Sequence, residues 1–136
     1  MTTFDHEKLD VYQISLEFVI TAGEIIGKLP TGRHNLADQL ERAATSVVLN
    51  IAEGAGEFSR AEKARFYRMA KRSATECAAA LDICRVRKLI DERVLEVGRE
   101  KLLRVIAMLI RMVHGLESGS GRSTKPEAIS PPQQPR

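Results

Sequence analysis

Six basic side chains within thirteen residues are the clearest chemical signal in this sequence. Among them stands one acidic residue, Glu62. The six are Arg60, Lys63, Arg65, Arg68, Lys71 and Arg72. A surface this positive attracts phosphate groups without reading base sequence, so the stretch is a candidate nucleic-acid-binding site. The alternative is that it neutralises acidic residues within the protein or its assembly, because residues 1–57 carry 4 basic and 9 acidic residues.

A second set of polar residues recurs at the spacing of a helix. Its members lie three or four residues apart within each segment, so each segment places them on one helical face. The set comprises Arg42, Ser46, Asn50 and Glu53 in one segment, and Ser73 and Glu76 in the next. One interpretation is a hydrogen-bond network between two helices that fixes their register, since buried polar groups need partners. The other interpretation is a surface that contacts a ligand or nucleic acid.

The remaining reactive residue types form no catalytic or metal-binding pattern. His6, His34 and His114 have no His or Cys partner at ligand spacing. Cys77 and Cys84 lie seven residues apart in a predicted helix, where about 10 Å separates them, beyond disulfide reach. No nucleophile has an orienting base. We therefore predict that the protein is not an enzyme and holds no metal or cofactor.

Charge and hydropathy patterns narrow the cellular setting. The net charge of +3 combines a net −5 in residues 1–57 with a net +6 in residues 58–88 and +2 in the rest. The uncharged stretch from Ala43 to Ala52 is too short to span a membrane, which takes roughly 18 residues. The polar start MTTFDHEKLD does not resemble a secretion signal. With two unpaired thiols, we expect a cytoplasmic protein with no membrane partner.

Four segments of helical periodicity position these side chains, and strand-like alternation is lacking. Apolar residues spaced three and four apart predict a first helix over about 9–29 and a second over about 36–53. They predict a third helix from the N-cap Ser59 to about Leu89, and a fourth from the N-cap Asp91 to about Leu116. Gly54 is predicted to end the second helix as a left-handed cap. The glycine turn before Ser59 is either a simple connection or a weak phosphate site.

These elements predict an all-α protein, an up-down-up-down antiparallel four-helix bundle over residues 1–117. The core must be aliphatic and rich in alanine, because aromatic residues make up only 4% of the 136 residues and Trp is absent. The wide apolar arcs favour a homo-oligomer, which would cover surplus apolar surface. Residues 118–136, SGSGRSTKPEAISPPQQPR, are predicted to be a disordered tail.

The middle of the chain resembles the 23S rRNA intervening-sequence protein family, also called four-helix bundle proteins. The matching residues are Pro30, Leu36, Gln39, Arg42-Ala43, Ser46 and the run Asn50-Ile51-Ala52-Glu53-Gly54, followed by Ser59, Glu62, Ala70, Ser73 and Glu76. With the flanking helices, the resemblance covers about residues 8–117. Three positions depart from the family pattern: Tyr12 replaces a frequent Trp, Glu57 follows the glycine turn where a basic residue is common, and Arg72 replaces a small residue before Ser73. Glu57 weakens a phosphate site at the turn, whereas Arg72 adds positive charge.

The resemblance implies a four-helix bundle that assembles as a ring-like homo-oligomer, a pentamer, without enzymatic activity. It also makes the polar set, together with Gly54, the family signature. More distant relatives are accessory proteins of diversity-generating retroelements, which bind a reverse transcriptase and nucleic acid. From these observations we predict a protein that binds structured RNA or another nucleic acid through its basic third helix. The alternative is a scaffold or accessory subunit that binds a protein client.

Overall fold

The computed structural model describes residues 2–122, with side chains described as far as Ser118. After a 3-10 turn at Asp5–Lys8, the chain forms four helices, and the described residues contain no strand. The helices are α1 (Asp10–Lys28), α2 (His34–Gly56), α3 (Arg60–Val86) and α4 (Glu92–Arg122). The predicted all-α class is confirmed.

The four helices pack as a closed, four-sided bundle. Each helix contacts the next one along the chain, and α1 also contacts α4. Because short connections join sequential helices, neighbours run antiparallel. The α1–α2 and α3–α4 connections therefore share one end of the bundle, and the α2–α3 connection lies at the other.

The core is mainly aliphatic, as the composition predicts. Its largest fully buried side chains include Phe18, Ile25, Leu40 and Leu109. Apart from Tyr67 and Leu81, the buried face of α3 carries small residues, namely Ala64, Ala70, Ala74, Cys77, Ala80 and Cys84. Small side chains let α2 and α4 approach α3 closely, which gives a 15.1 kDa chain a dense core with few aromatic rings.

Local sequence signals explain most of the helix ends. The helix α1 stops before Pro30, with Leu29 in extended geometry. The Ser59 hydroxyl accepts a hydrogen bond from the Glu62 backbone N–H at 3.2 Å, so Ser59 is the N-cap of α3 as predicted. At the start of α4, an Asp91 carboxylate oxygen accepts from the Arg93 N–H at 2.9 Å.

The end of α3 has a conformation that glycine would favour. Lys88 lies in the left-handed region with φ +56°, and α3 ends at Val86 rather than near Leu89. The Leu89 N–H donates to the Cys84 carbonyl at 2.9 Å, and the Lys88 N–H to the Arg85 carbonyl at 3.1 Å. These two bonds form a Schellman motif, in which a left-handed residue satisfies the last carbonyls of the helix.

Two further predicted boundaries differ from the structure. Gly54 is not a left-handed cap: it lies inside α2, which continues to Gly56. The physical reason is packing, because a Cβ at Gly54 would lie 2.6 Å from the Tyr67 ring. The helix α4 continues to Arg122, past the predicted start of the tail at Ser118. Residues 123–136 lie outside the described residues, so the disordered tail remains a prediction for them.

Candidate nucleic-acid interface

Two of the six basic side chains on α3 donate hydrogen bonds to backbone carbonyls of other helices. The Lys63 ammonium donates to the carbonyls of Gly54 and Ala55 in the last turn of α2, at 3.2 and 2.9 Å. The Arg60 guanidinium donates to the carbonyls of Gly115 and Leu116 in α4, at 3.1 Å each. A cation at a helix C-terminus satisfies free carbonyls and complements the helix dipole, so Lys63 stabilises the α2–α3 turn.

The next two arginines take part in exposed ion pairs. Arg65 pairs with Glu62 at 2.9 Å, and its guanidinium lies 4.5 Å from the centre of the Phe66 ring. The hydrogen bond from Arg65 lowers the pKa of the Glu62 carboxyl. Arg68 pairs with Glu117 of α4 at 2.5 Å. Both arginine side chains are about half exposed, and pairs of this kind contribute roughly 0–1 kcal/mol.

Lys71 and Arg72 make no ion pair with any side chain in the part of the chain that the structure describes. Arg72 is exposed, and Lys71 is half-buried. The positive charge that α3 offers to a ligand is thus smaller than the sequence suggests. It comprises two unpaired cations and two weakly paired arginines.

Three members of the polar set meet between α2 and α3. The Asn50 amide donates to the Ser46 hydroxyl at 3.0 Å and to the Ser46 carbonyl at 2.9 Å. The Ser73 hydroxyl of α3 donates to the Ser46 hydroxyl at 2.9 Å. All three residues are half-buried, so each hydrogen bond is partly shielded from water. This geometry fits the register-fixing interpretation for Ser46, Asn50 and Ser73.

The charged members of the set lie apart from this network. Arg42, Glu53 and Glu76 are exposed, and none has a side-chain hydrogen bond or ion pair with the residues described in the structure. Gly54 has a different role from either interpretation. Its missing side chain admits the Tyr67 ring, whose Cε1 and Cδ1 atoms lie 2.6 and 2.8 Å from the position of an added Cβ.

The pKa values of the buried thiols and of the buried phenol are shifted upwards, which favours the protonated and less reactive form of each group. Burial, and then the nearby Glu76 charge, raises the pKa of the Cys77 thiol to about 12. Burial also raises the pKa of Cys84 and of the Tyr67 phenol. Within residues 2–122, no group of three or more His, Cys, Asp or Glu side chains could hold a metal ion. No helix over the same residues is long and apolar enough to cross a membrane.

The sequence and the fold both have known relatives. Residues 7–111 match the family model described as 23S rRNA-intervening sequence protein. The chain belongs to this family. The fold is also similar to a crystal structure from Bacteroides thetaiotaomicron, of a protein of unknown function from the S23 ribosomal protein family. The two structures match with a TM-score of 0.70 and 23% sequence identity, over 76% of this chain and 97% of the other. A comparison with curated proteins gave no match.

For this intervening-sequence family member, the match confirms the resemblance seen in residues 36–83. The matched region holds all of α1, α2 and α3 and most of α4. The basic side of α3 and the Ser46–Asn50–Ser73 network therefore both lie inside the family domain. Sequence reasoning found the residues of both features, but it did not find the carbonyl partners of Arg60 and Lys63. The partners of Arg60 lie 55 and 56 residues away in the sequence, and those of Lys63 lie across the α2–α3 turn.

Proposed function

We propose that the protein is a non-enzymatic helical-bundle protein of the cytoplasm that binds structured RNA through the exposed basic side of α3. The observation that supports the proposal most directly is the pair Lys71 and Arg72, which make no ion pair among the described residues, beside the half-exposed Arg65 and Arg68. A phosphate can take the place of Glu62 or Glu117 at little cost, because exposed ion pairs are weak. The family description, which refers to 23S rRNA, favours RNA as the polyanion.

Arg60 and Lys63 are better assigned to the fold than to the RNA. Each already donates two hydrogen bonds to backbone carbonyls of another helix. Turning Lys63 towards a phosphate would take the side-chain donor away from the Ala55 carbonyl in the last turn of α2, which costs about 1–3 kcal/mol where water cannot replace it. Turning Arg60 away would break its two hydrogen bonds to α4. The proposed contact surface, which we call the α3 basic side, therefore consists of Arg65, Arg68, Lys71 and Arg72.

The test is a salt titration of binding to a labelled RNA hairpin, followed by fluorescence anisotropy. Each phosphate contact contributes a slope of roughly −0.7 to −0.9 to log K against log salt, so four contacts predict about −3 to −4. The double variant Lys71→Ala/Arg72→Ala should reduce that slope by about 1.5. The matched control is Arg104→Ala/Arg111→Ala, which removes the same charge from exposed positions of α4. Undetectable binding at low salt, or an equal loss in the control, contradicts the proposal.

We further propose that the chain forms a homo-oligomer, for which the family resemblance suggests a pentamer. Large apolar side chains stay exposed on the outer faces, which a single copy of the chain cannot cover. They include Leu16, Ile20, Leu49, Phe58, Val86, Val97 and Leu103. Multi-angle light scattering should give about five times the chain mass of 15.1 kDa. A mass near 15.1 kDa across micromolar concentrations contradicts the oligomer.

A second candidate function, a scaffold that binds a protein client, is favoured by one side chain. Phe58 lies in the α2–α3 turn and is 101% exposed. A fully exposed aromatic ring is typical of anchors that enter a pocket on a partner. This alternative predicts a single client that stays bound after nuclease treatment and is lost in the Phe58→Ala variant. Loss of the client with nuclease would instead support the RNA proposal.

A further inference from the structure

A second basic region lies at the end of the bundle where the α1–α2 and α3–α4 connections meet. Residues 28–36 and 83–93 together hold 6 basic and 2 acidic residues. The acidic Asp91 lies close to Arg93, to which it is hydrogen-bonded, and Arg85 pairs with Asp82. Arg33, Arg87 and Lys88 have no ion pair among the residues that the structure describes. We call these three residues the loop-end cluster.

A cavity of about 280 Å³ joins two members of this cluster. It lies between the start of α2 and the end of α3, where Arg33, the N-cap of α2, and Arg87, the C-cap of α3, both line it. Gly32, the carboxamides of Asn35 and Gln39, and the apolar side chains of Leu36 and Ile83 complete the lining. No carboxylate lines this cavity within the described chain, whereas Asp or Glu residues line four other cavities on the bundle.

This donor set has the chemistry that phosphate groups require. A guanidinium presents a planar fork of N–H donors, which matches two phosphate oxygens at once, and two forks can hold one phosphate from two sides. Carboxamide N–H groups can supply further donors without adding charge. Pockets that enclose whole drug-sized ligands measure roughly 300–1,000 Å³, so a cavity of this size suits a phosphate group with part of the molecule that carries it.

Lys88 adds a third cation, although its backbone has a conformation that lysine does not favour. Its φ of +56° is the left-handed position of a Schellman motif, where glycine is the usual residue. The side chain is exposed, so apolar packing does not explain its presence. A structural explanation does exist, because cations near a helix C-terminus complement the helix dipole. The experiment must therefore separate stability from binding.

We propose that the loop-end cluster binds a phosphate group, with Arg33 and Arg87 holding its oxygens and Lys88 adding attraction. The phosphate belongs either to an RNA backbone or to a free phosphate-type anion. The site is separate from the α3 basic side, because Lys71 and Arg87 are 16 residues apart in sequence, about 24 Å along the helix axis. The inference does not rest on the proposed function, and each can fail while the other stands.

The test uses two probes on the full chain. Sodium phosphate is titrated at constant ionic strength while NMR follows the side-chain N–H signals of Arg33 and Arg87. A labelled RNA hairpin is titrated in parallel by fluorescence anisotropy. Saturable shifts with phosphate identify a free anion as the source. RNA binding that requires the cluster, without shifts in phosphate, identifies the RNA backbone as the source.

Three variants connect these signals to the cluster. Arg33→Ala/Arg87→Ala should weaken binding of the responding probe at least tenfold, since hydrogen bonds to charged groups contribute strongly. Lys88→Gly should weaken it about two- to fivefold while raising thermal stability, because glycine relieves the left-handed strain. Loss of affinity in a variant that is more stable cannot come from unfolding. Arg104→Ala/Arg111→Ala on α4 is the charge-matched control.

Two results overturn the inference. The first is the absence of any saturable phosphate shift together with RNA affinity that is unchanged in Arg33→Ala/Arg87→Ala. The second is an equal loss of binding in the α4 control, which would show a general charge effect. If RNA affinity depends only on Lys71 and Arg72 and phosphate gives no saturable shift, the proposed function stands and this inference fails. If it depends only on the loop-end cluster, the inference stands and the α3 assignment fails.

Discussion

Gly54 should be the position of α2 where a single added methyl group does the most harm. A Cβ there would lie 2.6 and 2.8 Å from two ring atoms of Tyr67 and 3.2 Å from the Cβ of Phe66. The Tyr67 ring is only 4% exposed, so it has little room to move away. Alanine gains up to about 1 kcal/mol of helix propensity, but overpacking of a tight core costs typically about 1–3 kcal/mol. We expect Gly54→Ala to be destabilised by a net of about 1–2 kcal/mol.

The matched control for Gly54→Ala is the same substitution at Gly56, two residues away. Gly56 lies in the last turn of the same helix, and an added Cβ there meets no atom within 4 Å. Gly56→Ala should therefore equal the wild-type stability or exceed it by up to about 1 kcal/mol. Urea denaturation followed by circular dichroism at 222 nm measures both variants. The protein concentration must be held constant, because an oligomer's apparent stability depends on it.

A double-mutant cycle tests whether the Tyr67 ring is the cause. Tyr67→Leu removes the ring atoms that an alanine at position 54 would meet. The combination Gly54→Ala/Tyr67→Leu should then cost at least about 1 kcal/mol less than the sum of the single changes. The close-packing argument is refuted if Gly54→Ala is as stable as Gly56→Ala, or if the two substitutions in the cycle are additive.

Three further predictions follow from the cap, the thiols and the ion pairs. Ser59→Ala removes the acceptor for the Glu62 N–H and should lower the free energy of unfolding by about 1 kcal/mol, whereas Ser59→Asp should not. Cys77, with its pKa raised to about 12, should resist a thiol reagent at pH 8 until the protein unfolds. Folding lowers the pKa of the Glu62 and Asp91 carboxyls. Each carboxylate therefore stabilises the folded protein at pH values above the pKa it has in the unfolded chain. This stabilisation is lost as the pH falls through the pKa that the group has in the folded protein. Denaturation at pH 7 and pH 3 should show this loss, and Glu62→Gln should reduce it.

Local patterns in the sequence were sufficient to predict the four helices. Apolar spacing gave the α1 boundary to within one residue, and the capping pattern at Ser59 placed the start of α3 correctly. The errors lie where tertiary contact overrides a local preference. Gly54 resembles a C-terminal cap in sequence, but the approach of Tyr67 from another helix explains it better. The end of α3 is a different case, because the exposed Lys88 occupies the left-handed position that local propensity gives to glycine, and no tertiary contact explains it.

The candidate site was less predictable for a related reason. Helical spacing correctly suggested that Ser46 and Asn50 share a face, but it could not show that Ser73 would meet them across the α2–α3 contact. Arg33 and Arg87 are 54 positions apart and belong to no shared motif. Their meeting at one cavity depends on the antiparallel topology, which places both connections at the same end of the bundle.

Some cations of this protein hold the bundle together, and others remain free. Only substitutions in the second group can test ligand binding without also disturbing the fold. Arg60 and Lys63 attach α3 to the carbonyls of α4 and α2. Alanine at either position would loosen those contacts, so it would reduce RNA affinity through the fold whether or not RNA touches the side chain. The decisive substitutions are therefore at Lys71, Arg72 and Lys88, because removing those charges breaks no contact that the structure shows.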